Sequence, residues 1–191
     1  VYELLGGAIR SNHQVTAEEQ RHSATPYCTI VSDRWDRESV LREQVERVVK
    51  LRELGYRAFK IEPLNQPDET IIELTRRTRA ALGKDDILCV DVGYLWNDVG
   101  HAVRVINQLA EFDLFFFETP LPVDAVAAYA TLTRQTTVPV AMGEHTTTRW
   151  EFLEMIEHGG IQVAQPYMTT CGGITEAKRI VEMARPRGVL V

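Results

Sequence analysis

Three short apolar runs, each closing on one carboxylate, constrain this chain more than anything else in it: residues 87–90 before Asp91, 114–117 before Glu118, and 138–143 before Glu144. A continuous apolar run bounded by turn-forming residues suits a strand buried on both faces, as in a parallel sheet covered by helices. The acids recur 27 and 26 residues apart, about one strand–helix unit, since a βαβ crossover takes roughly 30 residues. Three strands therefore deliver three acids to one end of one sheet. Carboxylates gathered there repel one another unless something positive lies between them, and oxygen donors suit a hard divalent cation such as Mg²⁺. The pattern predicts a metal centre of Asp91, Glu118 and Glu144.

The rest of the chain repeats the same unit. Residues 27–31 read as a first strand, 39–54 as an amphipathic helix stopped by Gly55, 58–61 as a second strand, and 69–82 as a helix halted by Gly83. Further helices are expected over 100–111, 125–133, 149–157 and 173–184, and further strands over 161–165 and from Val189 onward. Such alternation argues for an all-parallel α/β architecture. An open doubly wound sheet gathers its ligands at one switch point. Here strand after strand ends in a polar residue, as a TIM-like barrel expects, because its sites are assembled from the C-terminal ends of many strands. The expected organisation is a lead-in segment, 1–26, followed by a barrel domain, 27–191, cut off at about its seventh strand.

Composition narrows the partners. With 191 residues, 45% of them hydrophobic, a sizeable core is available. A net charge of −6 and a pI near 5.4 disfavour a binder of nucleic acid or anionic membrane, which needs a basic face. Three cysteines without CxxC spacing, Cys28, Cys89 and Cys171, read as reduced thiols of an intracellular protein. Neither a leader pattern nor an apolar run long enough to span a bilayer is present, so the cytoplasm is the default expectation. The chain begins on Val1 and stops on Val191 within an apolar run, and reads as a piece of a longer protein.

Lys60 and Glu62 stand at the end of the second strand. Residues i and i+2 of a strand share a face, so if Ile61 points at the helices, both point into the barrel mouth, where a cation and an acid would flank the metal. A structural charge layer is the alternative, since ionisable networks also occur without catalytic purpose.

Asp91, Glu118 and Glu144 at successive strand ends, the Lys60 element one strand earlier, and QPYMTTCGGITEAKRI one strand later together resemble the enolase superfamily, in its mandelate racemase and muconate lactonizing enzyme branch. The opening VYELLGGAIR resembles the stretch leading into that family's barrel. The resemblance implies a modified (β/α)₇β barrel whose α+β capping domain is largely absent here, Mg²⁺ held by the three acids, a small-molecule carboxylate substrate, and a homo-oligomer. It also implies removal of the proton α to the substrate carboxylate, with the cation stabilising the enediolate that develops. The family's bases are the second Lys of a Lys-x-Lys element, or a His on the seventh strand paired with an Asp on the sixth.

This chain departs from the family at both places. Glu62 replaces the second Lys, and Tyr167 replaces the sixth-strand Asp, while the matching His would fall at or beyond Val191. Glu62 becomes a base if desolvation raises its pKa against the pull of Lys60; Tyr167 is a candidate acid, base or hydrogen-bond donor, or a packing residue. His145, next to Glu144, is a candidate substrate contact or acid. Gly93 stands where relatives commonly have Asn, with Tyr94 and Trp96 following, an alteration expected to reshape the pocket. His13, His22, His101, His158 and Cys171 read as structural. The expected activity is a Mg²⁺-dependent hydro-lyase, a dehydratase of a sugar acid or related hydroxy acid. The alternatives are a racemase or epimerase of the same superfamily, or a metal- and ligand-binding relative without efficient turnover.

Overall fold

The computed structural model describes residues 26–191. The lead-in stretch with His13 and His22 lies outside the described residues. Strands and helices alternate throughout: β1 (Cys28–Ile30), α1 (Arg37–Glu53), β2 (Ala58–Ile61), α2 (Asp68–Ala81), β3 (Ile87–Asp91), α3 (Val99–Leu109), β4 (Phe116–Glu118), α4 (Val126–Gln135), β5 (Val140–Met142), α5 (Arg149–Glu154), β6 (Val163–Ala164) and α6 (Ile174–Ala184). The six strands pair in parallel and in chain order, β1 to β6. A doubly wound sheet reverses its strand order at a switch point, and this one never does. The fold is therefore the TIM-barrel type, an incomplete barrel of six strands among the described residues. The last strand expected from the sequence is reduced to one parallel bridge between Leu190 and Val163.

The register separates two faces. Residues paired across a parallel ladder point the same way, and Lys60 pairs with Cys89, Cys89 with Phe116, Asp91 with Glu118, Glu118 with Ala141, and Ala141 with Val163. Cys89, Phe116, Ala141 and Val163 form a small apolar cluster of their own, the barrel interior. The alternate residues Phe59, Ile61, Leu88, Val90, Phe117 and Val140 join the larger core against the helices. Burying one such side chain contributes roughly 1.5–3 kcal/mol, and burial on both faces explains why these strands read as unbroken apolar runs rather than alternating ones. Ile61 is fully buried on the helix side, which leaves Lys60 and Glu62 on the inner side together.

Several boundaries move for identifiable reasons. α1 starts at Arg37, before the expected residue 39, because Asp36 caps it: its Oδ1 accepts the Ser39 N–H at 2.9 Å. β5 starts only at Val140, after Pro139, which has no N–H to give a ladder. α5 is capped by Thr148 and Glu151 in a reciprocal box and finishes in a π turn, Met155–Gly159, closed by left-handed Gly160. β6 is the shortest strand. Its last ladder bond runs from the Gln165 N–H to the Met142 carbonyl at 3.0 Å, and Pro166 follows. Tyr167, aligned with the sixth strand from sequence, instead heads the turn after it, where its carbonyl accepts the N–H groups of Thr170 and Cys171. No helix among the described residues is long and apolar enough to cross a membrane.

Candidate functional site

At the C-terminal ends of β2, β3 and β4, one ammonium meets three carboxylates. Lys60 Nζ donates to Asp91 Oδ2 at 3.0 Å and to Glu118 Oε2 at 2.9 Å, and lies 3.4 Å from Glu62 Oε1. All four side chains are buried or nearly so. Burial works against the charge of Lys60, but Asp91 and Glu118 outweigh it and hold its pKa well above the ordinary lysine value. The acids respond in the opposite sense. Burial raises Glu118, with Asp91 adding repulsion against the help of Lys60; burial likewise raises Glu62, opposed by Lys60 and reinforced by Asp91 and Glu144. The Tyr27 ring covers the ammonium from the β1 side, its centroid 5.6 Å from Nζ, a cation–π contact.

Asp91 is the most tightly held of the acids. Besides Lys60, its Oδ1 accepts Thr119 Oγ1–H at 2.7 Å and the Gly93 N–H at 3.0 Å. Thr119 and Tyr94 both have left-handed backbone, at φ 48 and φ 61, and the Tyr94 N–H donates to the Thr119 carbonyl at 2.6 Å. Left-handed backbone in a β-branched or aromatic residue costs on the order of 1–3 kcal/mol and gathers at functional sites. Here two such residues are bonded together just past two of the candidate metal acids.

Glu144 is placed differently. β5 has ended at Met142, and Gly143 turns the chain at φ 139. The Glu144 side chain is 41% exposed and 3.8 Å from His145 Nε2. His145 in turn lies against the Tyr94 ring, centroids 5.3 Å apart. Gly143 is fixed by its surroundings: a Cβ there would stand 2.6 Å from Phe152 Cε1 and 3.0 Å from the Gln165 N, and Phe152 is fully buried. Gly143→Ala is expected to destabilise the protein by about 2–4 kcal/mol, read as a lowered urea midpoint at unchanged slope.

Among the described residues no three His, Cys, Asp or Glu side chains converge as a metal cage. The donor set nevertheless fits a hard cation in its chemistry. Four carboxylates, those of Glu62, Asp91, Glu118 and Glu144, share one strand-end region with one ammonium, an excess of anionic oxygens over positive charge; two of them, Glu62 and Glu118, have pKa values raised chiefly by burial, with Asp91 adding repulsion. The structure thus brings together Lys60, Glu62, Asp91 and Glu118, sets Glu144 and His145 at the rim, and places Tyr167, 57% exposed, on the turn after β6, where its carbonyl and that of Glu144 both accept from the Thr170 hydroxyl. Sequence reasoning missed Thr119, Tyr27 and Gln165. Gln165 follows β6, and its side chain helps hold Glu118 down against burial. The only signal for these was a polar residue at or beside a strand end.

This geometry can be set beside known proteins. Residues 40–191 match the enolase C-terminal domain-like family. The chain belongs to that family. It lies in the mandelate racemase and muconate lactonizing enzyme branch of the enolase superfamily, as its relatives and structural neighbours agree. It is 29% identical to an arabinonate dehydratase of Saccharolobus solfataricus, over 98% of this chain and 46% of that protein. It is 30% identical to an L-rhamnonate dehydratase of Saccharopolyspora erythraea, over 100% of this chain and 44% of that one. The chain thus spans a little under half the length of these curated relatives. Among solved structures it resembles an L-talarate/galactarate dehydratase mutant liganded with Mg and L-glucarate, at TM-score 0.73 and 29% identity, covering 78% of this chain and 38% of that one. It also resembles a racemase from Streptomyces coelicolor with bound magnesium, at TM-score 0.71 and 25% identity, covering 76% of this chain and 45% of that one.

Proposed function

We propose that this family member serves a Mg²⁺-dependent dehydratase that removes the proton α to the carboxylate of a sugar acid or related hydroxy acid and eliminates the β-hydroxyl as water. The observation that carries this is the meeting of Lys60 with Asp91 and Glu118 at adjacent strand ends while Glu62, two residues on, has its pKa raised by burial. Similarity to arabinonate and rhamnonate dehydratases favours elimination as the outcome. Asp91, Glu118 and Glu144 would hold the cation, which when bound supplies electrostatic stabilisation of the charge developing on the substrate carboxylate.

The chain's own groups divide the remaining work. Lys60, permanently cationic between its carboxylates, attracts and orients the anionic substrate. Glu62 takes the α-proton, and its raised pKa moves it toward the range in which a carboxylate is an effective base near neutrality. The C–H electron pair becomes the new C=C bond as the β C–O bond breaks, and His145 at the rim gives the departing hydroxyl a proton, so that water leaves. The enol that remains tautomerises to a 2-keto acid. Tyr167, exposed on its turn, is assigned no step.

Incubation with Mg²⁺ and a panel of five- and six-carbon aldonic and aldaric acids, followed by a 2-keto acid assay, tests the proposal. Glu62→Gln is expected to lower kcat by about 10³-fold, within the range of a positioned general base, with substrate binding by calorimetry retained. Turnover undiminished in that variant would remove Glu62 from the base role. Product formed as the C2 epimer, with no 2-keto acid, would move the protein to the racemases.

A further inference from the structure

The two oxygens of Asp91 are held unequally. Oδ1 accepts the Thr119 hydroxyl at 2.7 Å and the Gly93 N–H at 3.0 Å, and a carboxylate oxygen has about two lone-pair positions. Oδ1 is therefore filled by the protein. Oδ2 accepts from Lys60 Nζ alone among the described residues, at 3.0 Å, which leaves it a lone pair for a further partner. The fold keeps this division at a cost. Thr119 is β-branched, yet its backbone is left-handed at φ 48, a conformation that costs on the order of 1–3 kcal/mol. It is secured from both sides: the Thr119 N–H donates to the Ala141 carbonyl at 3.0 Å, and the Thr119 carbonyl accepts the Tyr94 N–H at 2.6 Å. Thr119 is also fully buried, so its hydroxyl has no bulk water to turn to. Gly93 is confined as well, at φ 59 with Leu64 Cδ2 only 3.0 Å from where a Cβ would stand. Glycine would hold φ 48 without the backbone cost; what threonine adds is the hydroxyl on Asp91.

We propose that Thr119 is a positioning residue for the metal centre: by filling Oδ1 together with the Gly93 N–H, it confines Asp91 to ligation through Oδ2 alone and so biases the centre toward Mg²⁺ over Ca²⁺. The proposal rests on the cation-binding role of Asp91 in the function above. Mg²⁺ is small and demands near-octahedral geometry, which a single carboxylate oxygen serves, whereas Ca²⁺ takes more ligands in a flexible sphere and accepts both oxygens of one carboxylate. An aspartate whose second oxygen is already occupied cannot widen its grip for the larger ion. Thr119 touches neither cation nor substrate and acts through Asp91, as the outer hydrogen-bond partners of metal ligands do.

The test is calorimetric titration of the complete protein with Mg²⁺ and, separately, with Ca²⁺, without substrate, in the wild type, Thr119→Val and Thr119→Ser, with melting temperatures taken before metal is added. Valine keeps the branched shape and loses the hydroxyl; serine keeps the hydroxyl. In Thr119→Val the preference for Mg²⁺ over Ca²⁺, taken as the ratio of their Kd values, is expected to fall by about tenfold or more, with Mg²⁺ weakened and Ca²⁺ not, while Thr119→Ser keeps the wild-type ratio. Thr119→Gly suits φ 48 and lacks the hydroxyl, so it is expected to give the valine result and replaces that variant if valine does not fold. Both cations weakened by the same factor, with a lower melting temperature, would make Thr119 a support of the fold alone. Neither cation weakened would separate the hydroxyl from metal binding. A ratio lost equally in Thr119→Ser would assign the effect to shape. Each of these overturns the proposal while leaving the Mg²⁺-dependent function standing, whereas a wild type that binds neither cation would end both.

Discussion

Glu118→Gln is expected to abolish both Mg²⁺ binding and turnover while leaving the fold in place. The substitution keeps the shape of the side chain and one oxygen able to accept from Lys60, which lies 2.9 Å from Glu118 Oε2. What it removes is a charge, and the proposed centre depends on charge. Glu118 pairs with Asp91 across β3 and β4, so these two carboxylates are fixed side by side at adjacent strand ends. With one neutralised, the remaining donors no longer offer the anionic oxygens a hard cation needs. Loss of the cation's stabilisation of the developing charge is worth several kcal/mol, and about 4 kcal/mol is roughly a thousandfold in rate. Calorimetry should show one stoichiometric Mg²⁺ site in the wild type and none in the variant, with kcat/KM lower by about 10³ or more. An unchanged isotherm would mean that Glu118 is not a ligand, and the proposed centre would fall. Neutralising Glu118 also lessens the burial cost and the repulsion from Asp91 that raise its pKa, so the melting temperature without metal should not fall.

The parts of this site that were legible in the sequence are those fixed by strand periodicity. Alternation along β2 set Lys60 and Glu62 on one face, because Ile61 between them is apolar and β-branched and belongs with the helices. The apolar runs before Asp91 and Glu118 set both acids at strand ends, and the parallel register then brought them side by side. What periodicity cannot reach begins where the strands stop. Glu144 lies two residues beyond β5, and its outlook is decided by the φ of Gly143, a backbone choice enforced by Phe152 from a later helix. Tyr167 was aligned to a strand that ends before it; Pro166, which cannot donate to a ladder, was the available warning. Thr119 and Tyr94 owe their roles to left-handed backbone in residues that seldom adopt it. Propensity argues against such conformations, so only the folded structure reveals them.

The largest effect on stability is expected at Lys60. Lys60→Met keeps most of the side chain's length and apolar body and removes its charge. Asp91 and Glu118 would then face each other across the ladder, buried and without the ammonium to which both are now bonded. Replacing a whole buried ion pair by apolar groups is often neutral, but removing one partner leaves buried charge uncompensated and costs about 3–5 kcal/mol. The two carboxylates should respond by sharing a proton, as closely spaced acids do when they cannot both ionise. That fixes the sign of the pH dependence. A carboxylate whose folded pKa rises above its unfolded value of about 4 destabilises the native state most at pH above the raised pKa, and the penalty disappears as pH falls toward the unfolded value. Urea unfolding should therefore show the gap between wild type and Lys60→Met widest near pH 7–8 and narrowing steadily toward pH 4. Mg²⁺ adds a second discriminating measurement. If the acids hold the cation as proposed, added Mg²⁺ should raise the melting temperature of the variant more than that of the wild type, because it restores positive charge where the ammonium was lost. A gap that does not change with pH, together with no greater response to Mg²⁺, would show that Lys60 contributes packing alone and that the acids at these strand ends are not in electrostatic contact.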